Sequence, residues 1–192
     1  SFTSLKTLSC PGNQLTSLDV STNTALSWLD CSSNQLSSLD VSSNISLRKL
    51  YCLANQLTSL NLSNNTVLEL LECSNNQLSS LDVSSNTALT EIRCHSNQLT
   101  GLDLSSNTGL TILRCFNNQL TSLDISSNAA LTDLSCSSNQ LTTLDCSANT
   151  SLVYLVFNNN SFLTSIFIKN GKDNFGVAPA YILTGCPNLS FI

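Results

Sequence analysis

The chain repeats itself every 21 residues, and that period leaves little choice of fold. Leu5, Leu26, Leu47, Leu68, Leu89, Leu110, Leu131 and Leu152 share one register without a slip, and the unit they open reads LxxLxCxxNQLxxLDVSxNxx. Self-similarity at this length marks a solenoid, in which a unit cannot bury its apolar side chains alone and does so against its neighbours. One elongated domain is expected from the 192 residues. Repetition also acts as an internal control, because it separates positions that the scaffold fixes from positions it leaves free.

Counting each opening Leu as position 1, position 4 is Leu or, once, Ile92, and position 6 is Cys until Phe157 replaces it. Positions 3 to 7 alternate variable and apolar residues, the pattern of a short strand with one buried face. Stacked coils would set these strands side by side at about 4.8 Å in a parallel sheet. The second half of the unit echoes the first: LTSLDVSTN from Leu15 to Asn23 resembles LSWLDCSSN from Leu26 to Asn34. Ser, Thr, Asp and Val are poor helix formers and no i, i+3, i+4 apolar stripe occurs. The sequence therefore predicts an all-β solenoid of about eight coils, with strands or extended segments on both faces and little or no helix.

Asn13, Asn34, Asn55, Asn76, Asn97, Asn118 and Asn139 occupy position 9, continued by Asn160, and a second Asn column runs from Asn23 to Asn149 at position 19. An amide both donates and accepts, so these columns are expected to satisfy backbone groups that tight turns leave unpaired. Cys10, Cys31, Cys52, Cys73, Cys94, Cys115 and Cys136 form an inward ladder, with Cys146 and Cys186 elsewhere. Side chains stacked in parallel suit disulfide torsions poorly, and no CxxC spacing gathers thiolates on a metal. The thiols read as small apolar core groups, and no metal or other cofactor is expected.

Regularity fails after Phe157. The reading places the solenoid at 1–160 and an irregular last repeat with the start of a further coil or cap at 161–192. Ser161 to Lys169 carries a one-residue slip, Gly171 to Pro179 reads as a loop, and Leu189 followed by Ile192 restores the start of a coil. Phe157, Phe162, Phe167, Phe175 and Tyr181 are expected to pack a cap. The chain starts at Ser1 without an initiator Met or signal peptide and ends within a new coil, which reads as a piece of a longer or processed protein.

Charged residues make up 10% of the chain, the net charge is −5 and the pI is near 4.5. That balance disfavours nucleic acid or an anionic membrane as partner. No apolar run approaches the ~20 residues that span a bilayer, so no direct membrane insertion is expected.

Superimposed units differ at positions 2, 3, 5 and 7. The candidate contact residues are Trp28, Asp30, Lys49, Tyr51, Leu53, Glu72, Glu91, Arg93, His95, Arg114, Phe116 and Tyr154, with Lys6, Arg48, Glu69, Leu70, Ile112, Asp133 and Val156 beside them. All should project from one sheet surface, and aromatic and Arg side chains are the composition of interface hot spots. The opposite surface stays almost uniformly Thr, Ser and Asp, with Asp19, Asp40, Asp82, Asp103, Asp124 and Asp145 in a column that Asn61 interrupts. Calcium bridging of that column and ice binding by the Ser and Thr array are weaker readings: the charged column opposes ice binding, and its Asp side chains are better explained as acceptors for neighbouring hydroxyls and turn amides. Catalysis has no support: His95 has no nucleophile in a cleft, Glu72, Glu91 and Arg93 read as a solvated ion-pair network, and small uniform coils offer no deep pocket.

From Leu5 to about Asn160 the string resembles the leucine-rich repeats, specifically the bacterial nested 21-residue class, and its cysteine ladder is similar to one in the listerial internalins. The Ser, Thr and Asn richness looks most like large secreted proteins of Bacteroidetes, where such blocks precede a type IX secretion signal. The resemblance implies a right-handed solenoid and a non-enzymatic recognition domain of a secreted or cell-surface protein. A protein partner is expected at the variable face. The alternatives are a glycan-binding adhesin domain, with Trp28, Tyr51 and Tyr154 stacking on sugars, and a rigid spacer in a surface adhesin or motility-associated protein.

Overall fold

Each 21-residue period becomes one coil that opens with a three-residue strand. In the computed structural model, which describes residues 2–168 and 184–189, β1 to β7 are Thr7–Ser9, Trp28–Asp30, Lys49–Tyr51, Leu70–Glu72, Glu91–Arg93, Ile112–Arg114 and Asp133–Ser135, and β9 is Tyr154–Val156. These eight strands form one parallel sheet in the order β1-β2-β3-β4-β5-β6-β7-β9. Leu29 pairs with Leu50, Leu50 with Leu71, Leu71 with Ile92 and Ile92 with Leu113, always 21 residues apart. No helix occurs among the described residues.

The strands are shorter than the predicted five-residue stretch, yet coil-to-coil bonding runs on past them. The Cys31 N–H donates to Tyr51 O at 2.9 Å and the Ser33 N–H to Leu53 O at 2.9 Å. On the opposite face the expectation of strands holds only at the C-terminal end, where β8 (Thr143–Asp145) pairs with β10 (Ser165–Phe167). Elsewhere the equivalent residues, 17–19 in the first coil, form no strand, and the same two successive turns follow them as follow β8: Asn23 N–H to Val20 O and Leu26 N–H to Asn23 O, Asn149 N–H to Cys146 O and Leu152 N–H to Asn149 O, all at 3.0 Å. The second half of the unit is long enough to return the chain but too short to return it fully extended.

The core is a single line of Leu, Val, Ile and Cys side chains, and Leu26, Leu47, Leu68, Leu89, Leu110 and Leu131 have no exposed surface. The two Asn columns stitch the coils together. At position 9, Asn76 Nδ2 lies 3.0 Å from Cys52 O and 3.1 Å from Cys73 O, while its Oδ1 accepts the Leu57 N–H at 3.0 Å. At position 19, Asn86 Nδ2 donates to Leu62 O at 3.0 Å and Asn65 O at 2.9 Å.

Residue 165 pairs with residue 143, a separation of 22 rather than 21, so the slip after Phe157 adds one residue to the back face. The next coil is already seated before Leu189, since the Asn159 N–H donates to Thr184 O at 2.9 Å. The loop read at Gly171 to Pro179, the side chains of Phe175 and Tyr181, and Ile192 lie outside the described residues. Phe157 is buried, whereas Phe162 and Phe167 are 57% and 44% exposed, so those two do not pack inside a cap among the described residues.

Position 8 is left-handed in every coil: Gly12, Ser33, Ala54, Asn75, Ser96, Asn117, Ser138, Asn159 and Gly185 all have φ between 52° and 76°. At Gly185 a Cβ would come within 2.8 Å of Asn159 Cα, so only glycine fits. Ala54, at φ 53°, carries the strain without a side chain that bonds locally. Ala54→Gly is expected to stabilise the protein by about 1 kcal/mol, read as a higher urea midpoint. An unchanged or lower midpoint would show that the strain is already relieved.

Candidate functional site

Because position 4 points inward, positions 3 and 5 point outward and stack into two columns. One column runs Trp28, Lys49, Leu70, Glu91, Ile112, Asp133, Tyr154, and the other runs Asp30, Tyr51, Glu72, Arg93, Arg114, Ser135, Val156. Leu53, His95 and Phe116, two residues beyond Tyr51, Arg93 and Arg114, extend the same surface and are half-buried. The structure therefore brings all twelve predicted contact residues onto one face.

Most of the charges on that face are matched within it. Arg48 pairs with Glu69, Arg114 Nη2 lies 3.1 Å from Asp133 Oδ2, and Arg93 binds both Glu91 and, at 3.7 Å, Glu72. Arg93 and Arg114 are in direct register, an arrangement that opposes like charges and is tolerated because carboxylates flank both. Arg93 Nε and Asp133 Oδ1 are buried with no hydrogen-bond partner among the described residues. The expectation of a solvated network needs correcting, most of all at Glu72, which is only 5% exposed. Its carboxylate turns down to accept from the Ser74 N–H and hydroxyl, which withdraws it from solvent and from any partner. Asp30 likewise accepts the Ser32 N–H at 3.0 Å.

The aromatics form two pairs. Trp28 and Tyr51 lie 5.8 Å apart between centroids with their planes tilted by 56°. His95 and Phe116 stack at 4.1 Å and 9°. Burial against Phe116, reinforced by the Arg114 and Arg93 charges, outweighs Glu72 and lowers the His95 pKa, so the imidazole is neutral near pH 7.

Beneath the face lies the thiol column. Burial pushes Cys31 up to about 12, and raises Cys52, Cys73, Cys94 and Cys115 well above the ordinary thiol value. Cys31 Sγ instead donates to Tyr51 O at 3.6 Å in the next coil. Neutral, enclosed thiols are poor nucleophiles and poor metal ligands.

On the opposite face each column Asp closes a turn. Asp19, Asp40, Asp82, Asp103 and Asp124 accept the N–H two residues on, all at 2.9 Å. Those bonds, with the Ser hydroxyls, hold the carboxyl pKa values below the usual range. Asn61 makes the same bond to the Ser63 N–H at 3.1 Å, so the acceptor oxygen, not the charge, is what the turn requires. A shallow, solvent-open hollow of about 270 Å³ between Asp124 and Asp145 is lined by Ser and Thr hydroxyls. Among the described residues no three His, Cys, Asp or Glu converge as a metal site, and no helix is long and apolar enough to cross a membrane.

The pairing of Glu72 and Glu91 with Arg93 was legible in the sequence, but the Arg48–Glu69 and Arg114–Asp133 pairs and the left-handed column were missed. The pairs had a signal: opposite charges 21 residues apart at Arg48 and Glu69 and at Glu72 and Arg93, and 19 apart at Arg114 and Asp133.

No protein-family model and no curated protein matches the chain. Solved structures do. The functional domain of InlJ from Listeria monocytogenes, which includes a cysteine ladder, is 30% identical over 85% of this chain and 48% of its own, with a TM-score of 0.59. A leucine-rich-repeat protein of Leptospira interrogans is 23% identical over 99% of this chain and 54% of its own, TM-score 0.77. YopM, a leucine-rich effector protein from Yersinia pestis, is 26% identical over 85% and 46%, TM-score 0.73. The chain thus spans about half the length of each. With a thiol column like that of InlJ under a parallel strand face, and the backbone of these solenoids over the described residues, the chain has the leucine-rich-repeat fold with a cysteine ladder.

Proposed function

We propose that this solenoid is a non-enzymatic recognition module of a secreted or cell-surface bacterial protein, and that it binds another protein through the face of β1 to β7 and β9. The observation that carries the reading is the contrast between the two outer surfaces. One holds the only Trp, the only His, every Arg and two of the three Tyr, while the other repeats Ser, Thr and Asp. The turn bonds hold the Asp column in place, but the exposed Ser and Thr beside it are as free to vary as the strand face, and variation at such open positions is concentrated on the strand face. The fold supports the reading, since neighbours with leucine-rich repeats are generally non-catalytic recognition domains. Exposed Tyr154 and half-exposed Trp28 and Arg114 are suited to interface contact.

A partner captured from the surface fraction of the source cells tests this. The combined Trp28→Ala, Tyr51→Ala and Arg114→Ala variant is expected to bind it at least ~30-fold more weakly, the scale of one lost hot spot. Ser59→Ala, Ser80→Ala and Ser122→Ala on the opposite face should leave affinity unchanged. Equal losses from both sets would remove the variable face as the binding surface.

A further inference from the structure

The ion pairs leave two lysines of the variable face without a carboxylate among the described residues, Lys6 just before β1 and Lys49 on β3 in the body of the sheet. Each Arg there has a carboxylate of its own, but Lys49 has no ion pair among the described residues and its side chain is exposed. By register its neighbours along the column are Trp28 and Leu70, both apolar, and Tyr51 follows it on the same strand. The acids diagonal to it are committed elsewhere: Asp30 holds the Ser32 N–H, and Glu72 is turned onto Ser74 and Arg93. The result is an ammonium standing beside three half-exposed, largely apolar side chains, those of Trp28, Tyr51 and Leu70.

From this we infer that coils two and three hold the anchor of the recognition face, and that it takes an acidic side chain, flanked by apolar residues, from an extended segment of the partner protein. The inference rests on the protein-recognition reading and says where on the face the contact is made and with what chemistry. A carboxylate supplies the counter-ion that Lys49 lacks, and the apolar side chains beside it lower the local dielectric, which strengthens the pair. The centre of the face has no such demand. Arg93 and Arg114 face Glu72, Glu91 and Asp133, two cations against three acids, so an incoming anion meets a cluster already in negative balance. The tilt of Trp28 on Tyr51 favours a peptide over a sugar, because planes at 56° give no flat double platform for a pyranose ring while they do form the sides of a slot for a side chain.

Trp28 is the chain's single tryptophan, so its fluorescence reports occupancy of this place alone. The probe is a set of acetylated, amidated octapeptides that alternate acidic and apolar residues, with the same peptides carrying Gln and Asn, or Lys, in place of the acids. The acidic set is expected to change Trp28 emission saturably and more weakly at high salt. The amide set should need about tenfold higher concentration, and the Lys set should give no saturable change. Lys49→Gln should weaken the acidic set about tenfold, Lys49→Glu should abolish the response, and Ser80→Ala on the opposite face should leave it unchanged. Both positions are exposed, so matching thermal melts are expected and exclude misfolding. The inference is overturned if no acidic peptide saturates by millimolar concentration, if the amide set binds equally, if Lys49→Glu responds like the parent, or if oligosaccharides saturate the signal where peptides do not. A captured protein partner lost through Arg93→Ala or Arg114→Ala but indifferent to Lys49→Glu would sink this anchor while leaving recognition by the face intact.

Discussion

Asn76→Asp is expected to destabilise the solenoid at pH 7 by about 5 kcal/mol, the scale of an uncompensated buried charge, and by more than the roughly 2 kcal/mol expected of Asn76→Ala from the single Leu57 N–H that it orphans. Asn76 is buried, and its Nδ2 is placed against three carbonyl oxygens, those of Cys52, Cys73 and Ser74. Alanine leaves the Leu57 N–H without a partner, whereas each oxygen keeps a second donor: Asn55 Nδ2 on Cys52 O, Asn97 Nδ2 on Cys73 O and the Ala54 N–H on Ser74 O. Aspartate keeps the acceptor for Leu57 but sets a second, charged oxygen against the carbonyls. The two variants separate by pH. Burial without donors raises the folded-state pKa of the new Asp above its unfolded value of about 3.9, so its penalty is full above the folded pKa and shrinks as pH falls through it. Relative to the parent, the urea midpoint of Asn76→Asp should therefore recover between pH 7 and pH 4, and that of Asn76→Ala should not. An Asp variant as stable as the Ala variant at pH 7 would mean that the column is not the donor array described. Asn86, whose Oδ1 meets no donor, should show a larger gap between its two variants, because its Asp keeps no N–H bond and its Ala orphans none.

Leu113→Ala should cost about 2–5 kcal/mol. Leu113 has no exposed surface and is sandwiched by register between Ile92 and Leu134. A globular core can partly collapse around a lost side chain from several directions, whereas here the strand ladder holds the neighbouring coils at fixed spacing. The cavity is shared by two coil interfaces, and in a one-dimensional stack each interface contributes separately to cooperativity. The urea transition of Leu113→Ala is accordingly expected to broaden or split, with the two ends of the stack melting apart. Leu8→Ala, in the terminal strand and only partly buried, should lose about 1 kcal/mol and keep a single transition. Equal costs at the two sites, or a sharp transition for both, would contradict a core built coil by coil.

How far the site could be read in advance differs from residue to residue. That Trp28, Lys49 and Tyr51 share a surface follows from counting, because alternation about an inward Leu50 leaves them nowhere else to point. That Glu72 is hidden while Glu91, one coil on and two positions earlier in the unit, stays partly open does not follow from counting. It depends on Ser74 lying within reach of the Glu72 carboxylate and on Arg93 arriving from the next coil. The solitude of Lys49 is of the same kind, since it results from where two neighbouring acids spend their hydrogen bonds.

The back face makes the matching point for the backbone. Its sequence resembles the strand half closely enough to suggest strands, yet only β8 and β10 form there, next to the one coil that is a residue longer. Asn61 shows that the Asp column serves turns rather than charge, which composition alone could not distinguish.

The period, the inward ladders and the division into a uniform and a variable side were settled by the order of residues, because a coil that must close on its own length every 21 residues fixes which side chains meet its neighbours. Which outward charges remain available, where the chain turns left-handed and where the back face becomes a strand were settled only by stacking. Those outcomes depend on contacts between side chains 19 to 22 residues apart, whose geometry exists only once one coil rests on the next.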